Sequence, residues 1–364
     1  MHTVILFGIL LLFSSISYSD VIPEQGSHEE LTLPTDDWFM DVSSGGSYLY
    51  DSANGDMLGL LAPTRPSIAV NRTRGEVYTP ESFFERRYRG KREDVIIVHD
   101  IKTLSPLAEI DVPDKIASVM GLKVIKLLNN NRHLVIHNQV PAQSISVVDI
   151  EDRKFITEIS TPGCAMTLPV NQSDFIMLCM DGTLQLMRLS DDGRESARIR
   201  SQEFFSVEDD AVFDRAARTD SGWLLISHSG LAYDVSVEND NILISKSWSL
   251  LDGKDIKEKW RPGGSDLITA HHQYNLAYIL MHKGDIDTHH QPGSEVWVFD
   301  IKKQKRVMRY PLDELWQDIL VLQGKDPKLI VYTDDGELQI YNALKMRHER
   351  TISNPGPHGI LQRF

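Results

Sequence analysis

A short pattern recurs along this 364-residue chain: an apolar run ends in Asp, a polar turn follows, and a second apolar run begins. Two degenerate copies end at Arg188 and Asn342, and successive copies lie 39 to 66 residues apart. The five full copies end at Asp51, Asp100, Asp149, Asp234 and Asp300. Seven copies of a unit of roughly 40–50 residues are typical of a β-propeller with one copy per four-stranded blade. We therefore predict an all-β fold, a seven-bladed β-propeller. The alternative is several independent β-domains, although no linker-like stretch interrupts the repeats.

The copy at residues 95–113 shows why the pattern should form a strand, a turn and a second strand. Its apolar run suits a strand buried on both faces, and the Asp100 carboxylate can accept hydrogen bonds from backbone N–H groups of the following turn. After Asn342 too little chain remains for another blade, yet residues 357–363 read like a first strand. We predict that this C-terminal strand joins the strands around residues 38–61 and closes the ring within the first blade, which removes exposed sheet edges.

The N-terminus differs in character from the repeats. Val4 to Phe13 is an uninterrupted apolar run, too short to span a bilayer, and small residues at 17 and 19 fit signal-peptidase cleavage. No Lys or Arg precedes the run, so a buried N-terminal strand is the alternative. We predict a signal peptide over residues 1–19, a loosely ordered N-terminal arm over 20–36, a propeller over 37–364, and no membrane insertion.

The charge distribution bears on partners. The net charge of −14 argues against nucleic-acid binding. A local exception is the basic segment 86–92, whose Arg86, Arg89, Lys91 and Arg92 we predict to dock an acidic surface, either within this chain or on a partner.

The two cysteines flank a turn-like sequence at residues 169–174. If Pro169 faces Asp174 across an antiparallel pair, then Cys164 faces Cys179 within disulfide reach. Export and an even cysteine count favour a Cys164–Cys179 disulfide. Two buried free thiols are the alternative.

The sequence contains no recognised catalytic motif. No P-loop, GxGxxG, HExxH or GxSxG pattern is present, so we predict no catalytic and no cofactor-binding residue in this chain. His282 and His289 belong to a local excess of histidines, but their spacing matches no zinc signature, so we predict no metal site.

Several segments resemble the heavy subunits of the methylamine and aromatic amine dehydrogenases. Residues 84–94, Phe-Glu-Arg-Arg-Tyr-Arg-Gly-Lys-Arg-Glu-Asp, are similar to the FER-x-x-RGKR-x-D segment of that family. Cys164 and the Cys-Met-Asp-Gly-Thr-Leu run at 179–184 are similar to its Cys…Cys-x-Asp-Gly-Ser-Leu element. Further similarities lie at Val207–Asp209, Trp260–Gly264 with His271, and Met281–Asp300.

The resemblance implies the heavy subunit of a periplasmic α2β2 quinoprotein that oxidises primary amines to aldehyde and ammonia. In that family the cofactor is tryptophan tryptophylquinone on the light subunit, and electrons pass to a blue copper protein or a c-type cytochrome. The heavy chain then supplies a scaffold and part of the substrate channel. Arg65 follows the Leu58-Gly59 element at the position where methylamine-type members carry a channel-narrowing Phe, so the resemblance implies Arg65 at the channel mouth. An ordinary solvated loop residue is the alternative for Arg65.

Two other functions fit the same fold. The first is a non-catalytic secreted β-propeller that binds another protein or ligand. The second is a self-contained propeller enzyme that uses residues of its central channel.

Overall fold

The computed structural model describes residues 30–43, 46–63, 65–117 and 123–364. The predicted signal peptide, residues 1–19, and residues 20–29 of the predicted arm lie outside the described residues. Residues 30–35 carry no regular secondary structure, and the backbone N–H of Leu31 donates to the carbonyl oxygen of Lys102 at 2.9 Å.

Within these ranges the chain forms 29 β-strands and one short helix. The strands of the first half are β1 (Trp38–Val42), β2 (Ser47–Asp51), β3 (Met57–Leu61), β4 (Ala69–Asn71), β5 (Glu76–Arg86), β6 (Arg89–Asp100), β7 (Pro106–Val112), β8 (Ile125–Leu127), β9 (His133–Asn138), β10 (Ser144–Asp149), β11 (Lys154–Ser160), β12 (Cys164–Pro169), β13 (Asp174–Cys179), β14 (Leu184–Leu189) and β15 (Glu195–Arg200). The second half contains β16 (Val212–Arg218), β17 (Trp223–Ser227), β18 (Leu231–Glu238), β19 (Asn241–Ile244), β20 (Trp248–Ser249), α1 (Gly253–Lys257), β21 (Trp260–Pro262), β22 (Ile268–His271), β23 (Leu276–Lys283), β24 (Gly293–Asp300), β25 (Lys305–Val321), β26 (Lys328–Thr333), β27 (Leu338–Asn342), β28 (Arg347–Ile352) and β29 (Ile360–Arg363).

The strands pair antiparallel in six sheets of a β-propeller. The first sheet has the order β29-β1-β2-β3, the second β4 to β7, the third β8 to β11, the fourth β12 to β15, and the fifth β16 to β19 with β20 beside β18. The sixth sheet has eight strands, in which β21 and β22 share one edge and β23 to β28 follow in order.

The prediction of seven separate four-stranded blades is therefore wrong in its count: five sheets are blade-sized units, and the last two sequence repeats share the eight-stranded sheet. The reason is β25, whose seventeen residues contain no glycine to turn the chain. Its residues up to Pro311 pair with β24, and its residues from Trp316 onward pair with β26.

The ring closes as predicted, within the first sheet. β29 pairs antiparallel with β1, with Leu361 opposite Asp41 and Arg363 opposite Phe39. The inner strands β4, β8, β12, β16, β22, β25 and β29 contact one another in succession around the centre, and the Gln362 side chain bridges to the carbonyl oxygen of Ile68 at 2.9 Å. The chain's C-terminal residues therefore complete the sheet that its first strands begin.

The recurring Asp has the predicted role in four of the five full copies, the exception being Asp234, which accepts from the Trp248 indole N–H. Asp100 Oδ1 accepts from the backbone N–H groups of Lys102 and Thr103 at 2.9 and 2.8 Å, and Asp149 does the same for residues 151 and 152. Buried apolar side chains pack between neighbouring sheets around the ring. Rigid sheets thus carry the loops on the two faces of the disc.

Candidate functional site

One face of the disc carries a large cavity. Within each sheet the strands are counted from the innermost outward, and neighbouring strands run antiparallel. The loops between the second and third strands therefore lie on the same face of the disc as the loops that lead from one sheet to the next. We call this the mouth face. It holds a cavity of about 880 Å³, the mouth cavity, whose lining includes residues 211–215, 264–266, 289–290 and 357–360.

A stack of aromatic rings forms one wall of the mouth cavity. The ring centroids of His228 and His289 are 4.0 Å apart, those of His289 and His290 are also 4.0 Å apart, and Phe213 packs against His228 at 4.5 Å. Burial lowers the pKa of His228 and of His289, and the neighbouring imidazoles lower each further. His228 and His289 are therefore largely uncharged near neutral pH.

The two candidate metal-binding histidines do not form a metal centre together with other ligands. His282 Nε2 lies 2.9 Å from the Thr288 hydroxyl, while His289 belongs to the ring stack. The described ranges hold no group of three or more His, Cys, Asp or Glu side chains arranged to bind a metal ion.

The lining of the mouth cavity also contains a histidine–carboxylate pair beside the closing strand. The His358 imidazole pairs with the Asp318 carboxylate, and Tyr332 stacks on His358 with ring centroids 4.0 Å apart. Asp41 lies next to this pair and is fully buried. Burial raises the pKa of Asp41 to about 7, which the His358 imidazole and the Gly359 backbone offset only in part.

The mouth cavity continues into the centre of the ring. Asp214, Arg215 and Asp266 line both the mouth cavity and a second cavity of about 300 Å³, the channel cavity. Lys123 Nζ and Asp266 Oδ2 are 2.8 Å apart, and Arg215 pairs with Asp214 at 2.8 Å. These ion pairs lie where the two cavities meet.

Arg65 lies on the mouth face, half-buried beside the mouth cavity. It precedes Pro66, which lines that cavity, and its Nε donates to the Ser82 hydroxyl at 3.2 Å. Burial and then the nearby Arg92 guanidinium lower the pKa of Arg65. Arg65 is thus held against the base of the β5–β6 hairpin.

The basic segment forms the end of that hairpin, also on the mouth face. Arg86 pairs with Arg89 across the turn, and both are exposed. Arg92 is different, because its guanidinium makes two 2.7 Å hydrogen bonds to the buried Asp94 carboxylate. Lys91 Nζ lies 2.6 Å from an oxygen of Glu93. Arg86 and Arg89 therefore present their charge to solvent, whereas Arg92 serves the fold.

The cysteines form the predicted disulfide, with Cys164 directly opposite Cys179. The expected pairing at the turn is wrong by one residue, since Pro169 faces Phe175 rather than Asp174. A β-bulge at Met166, which has a φ of 60°, restores the register toward the cysteines. The bond joins the start of β12 to the end of β13 and so ties down the mouth-face loop that follows Cys179.

Sequence reasoning missed four charged groups inside the ring: Asp41, Lys126, His358 and Arg363. All four lie in or beside β1, β8 and β29. For Asp41 and Lys126 the available signal was a charged residue within a short, otherwise apolar strand, which is unusual in a protein core. His358 precedes β29 and offered no such signal.

Comparison with known proteins agrees with this architecture. The β-propeller domain of Cps50 (Swd1) from Myceliophteria thermophila superimposes with a TM-score of 0.58 at 9% identity, covering 83% of this chain and 90% of that domain. The methylamine dehydrogenase heavy chain of Methylobacillus flagellatus is 25% identical over 315 residues, which cover 85% of this chain and 78% of the relative. The heavy chain of Methylophilus methylotrophus is 23% identical over 350 residues, covering 90% and 86%.

The family match extends over almost the whole propeller. A model of the methylamine dehydrogenase heavy chain family matches residues 36–360, from the segment before β1 into β29. The part of the chain that the structure describes has no helix long and apolar enough to cross a bilayer. On the strength of the match, the chain belongs to the methylamine dehydrogenase heavy chain family.

Proposed function

We propose that this chain is the heavy subunit of a periplasmic amine dehydrogenase that oxidises primary amines to aldehyde and ammonia. Electrons would pass on to a blue copper protein or a c-type cytochrome. The observation that carries the proposal is the family match over residues 36–360. Export would depend on residues 1–19, and the mature chain would begin at Asp20.

The redox cofactor is assigned to a light subunit. Tryptophan tryptophylquinone accepts the electrons of the amine, and it is made from two tryptophans. In this chain Trp260 and Trp297 pack with ring centroids 5.3 Å apart, but both are buried and the Arg309 guanidinium lies over both rings. No tryptophan lines the mouth cavity among the described residues. These tryptophans serve the core, which supports a cofactor on the partner.

The mouth cavity would form part of the substrate path. Two imidazoles of its histidine wall are largely neutral, because burial depresses the pKa of His228 and His289. Neutral imidazoles do not repel an alkylammonium ion as cations would. Arg65 would narrow and polarise the rim, where the Ser82 hydroxyl holds its guanidinium.

The β5–β6 hairpin is the proposed docking element for the light subunit. Its two strands run eleven and twelve residues, and its tip exposes Phe83 at 45% and Tyr88 at 75% of their surface. Exposed aromatic rings next to Arg86 and Arg89 have the composition typical of protein interfaces. Lys91 and Arg92 would act mainly by holding the hairpin's own acidic residues, Glu93 and Asp94.

The proposal is tested by purification from the native host with an affinity tag in the N-terminal segment after residue 19. The C-terminus is unsuitable for a tag because Phe364 is 2% exposed and packs against Trp38. A smaller subunit with quinone absorbance should co-purify, and amine-dependent dye reduction should require it. Recovery of the chain alone, or amine oxidation by the chain alone, would contradict the proposal and favour the non-catalytic or the self-contained alternative.

The docking element is tested separately by the double substitution Arg86→Glu and Arg89→Glu. It should weaken light-subunit binding at least tenfold, more strongly at low salt. The control is Lys302→Glu with Lys345→Glu, which makes the same charge change in exposed loops on the opposite face. Equal binding by both double variants would move the docking site away from the hairpin.

A further inference from the structure

The channel cavity is strongly cationic in a chain whose net charge is −14. It lies in the middle of the ring and is lined by inner strands of the first, third, fourth, fifth and sixth sheets. Its charged lining comprises five cations and two carboxylates: Lys123, Lys126, Arg215, Arg218 and Arg363, with Asp214 and Asp266.

The two carboxylates are already engaged by two of the cations. Asp266 pairs with Lys123 at 2.8 Å and with Arg215 at 3.7 Å, and Asp214 pairs with Arg215 at 2.8 Å. Among the described residues, no carboxylate lies within ion-pair distance of the other three cations, Lys126, Arg218 and Arg363.

The partners of the two arginines include no anion, although the Arg218 guanidinium also lies over the Trp223 ring, 5.4 Å from its centroid. The Arg363 guanidinium donates to the carbonyl oxygens of Val321 and Ala270 at 3.2 and 3.4 Å. Arg218 Nη1 donates to the carbonyl oxygen of Pro169 at 2.8 Å. A neutral carbonyl oxygen accepts a hydrogen bond but supplies no negative charge. Burial lowers the pKa of Arg363 to about 10.

Lys126 is the least satisfied of the three. Its ammonium group has no hydrogen-bond or ion-pair partner in the part of the chain that the structure describes. Burial, with the nearby Lys123, lowers the pKa of Lys126 to about 7. Lys126 is half-buried, facing the cavity. A partly desolvated cation without a partner is costly, and an inner strand could carry an apolar residue at this position instead.

We propose that the channel cavity is a binding site for a small tetrahedral oxyanion, held by Lys126, Arg218 and Arg363. Guanidinium and ammonium groups are the preferred donors for such anions. A cavity of about 300 Å³ accommodates the anion together with several waters, since a water occupies about 30 Å³. Thr167 and His137 add polar groups to the lining. The site is independent of any light subunit, since this chain supplies every ligand.

The probe is sulfate, whose charge does not change between pH 6 and 8. Isothermal titration of the full mature chain with sodium sulfate, at constant ionic strength, should show one saturable site per chain. Lys126→Met and Arg218→Gln should each weaken binding at least tenfold. Lys302→Met, at an exposed position, should leave it unchanged. Because Arg363 lies in the closing strand, Arg363→Gln is used only if near-ultraviolet circular dichroism shows a native fold.

The pH dependence provides a second readout. Sulfate requires a charged Lys126, so its affinity should fall up to tenfold per pH unit above about 7, and this dependence should vanish in Lys126→Met. His137 faces the same cavity, and burial lowers its pKa, so it stays neutral over this range. The remaining charged groups facing Lys126 are Lys123, Asp214, Arg215, Arg218, Asp266 and Arg363. Absence of saturable binding, or equal affinity in wild type and the Lys126 and Arg218 variants, would overturn the proposal.

Discussion

Replacing Asp41 by Asn should stabilise the protein above neutral pH. Asp41 is fully buried in β1, opposite Leu361 of the closing strand. Neither of its carboxylate oxygens meets a donor in hydrogen-bonding geometry among the described residues. Burial raises its pKa from 3.8 to about 7. Asn has the same shape and carries no charge to bury.

The magnitude follows from the pKa change. Between pH 3.8 and about 7 the folded state keeps a proton on Asp41 that the unfolded chain releases, so stability falls as pH rises through this window. One pKa unit corresponds to about 1.4 kcal/mol, so the cost of Asp41 should grow by about 3 kcal/mol between pH 5 and pH 8. Asp41→Asn should remove this increment. Burial lowers the pKa of His358, but pairing with Asp318 and the nearby Asp41 carboxylate raise it above its usual value, so His358 makes a further contribution to stability that is lost as pH rises.

The assay is urea unfolding of wild type and Asp41→Asn at pH 5 and pH 8. The variant's advantage should be larger at pH 8 by about 3 kcal/mol, and Asp111→Asn, at an exposed position of β7, should show no such difference. An advantage that is the same at both pH values would refute the assignment of a raised pKa to Asp41.

Two further predictions concern how the ring is held together. Replacing Cys164 and Cys179 together by Ser should lower the free energy of unfolding by about 3 kcal/mol for a loop of this length, as measured by urea titration. Reduction of the disulfide in the wild type should lower it by a similar amount. An unchanged urea midpoint would show that the bond contributes nothing to stability. Leu361→Ala, at a fully buried position of the closing strand, should lower the free energy of unfolding by about 2–5 kcal/mol. Leu107→Ala, at a position that is 52% exposed, should lower it far less. Equal shifts of the thermal unfolding midpoint in the two variants would contradict a closing role for β29.

The features predicted correctly from the sequence are those set by local chemistry repeated along the chain. Four of the five recurring Asp residues cap their turns in the structure: Asp51, Asp100, Asp149 and Asp300. Asp234 instead accepts from the indole N–H of Trp248. The C-terminal segment reads like a first strand, and the antiparallel pairing of β29 with β1 confirms its predicted closing role. Cys164 and Cys179 are paired as predicted.

Other features depend on tertiary context that a repeat pattern does not contain. The bulge at Met166 shifts the register by one residue, and nothing in the turn sequence requires it. The continuity of β25 through Pro311 depends on pairing with different strands at its two ends. The positions of Lys126 and Arg363 toward the ring's interior depend on which strand of each sheet lies innermost, and Asp41 is buried because β29 pairs with β1. For Arg65 and the basic hairpin the structure gives locations, and their roles stay predictions.

The seventeen-residue strand β25 has a mechanical consequence. Elsewhere a loop separates one sheet from the next, so a local opening can stop at that loop. Here the single strand β25 belongs to both halves of the sixth sheet. If its N-terminal part separated from β24, the hydrogen bonds between its C-terminal part and β26 would be strained. Residues 268–352 should therefore exchange their amide hydrogens as a single cooperative block, which would make this arc the stiffest part of the rim.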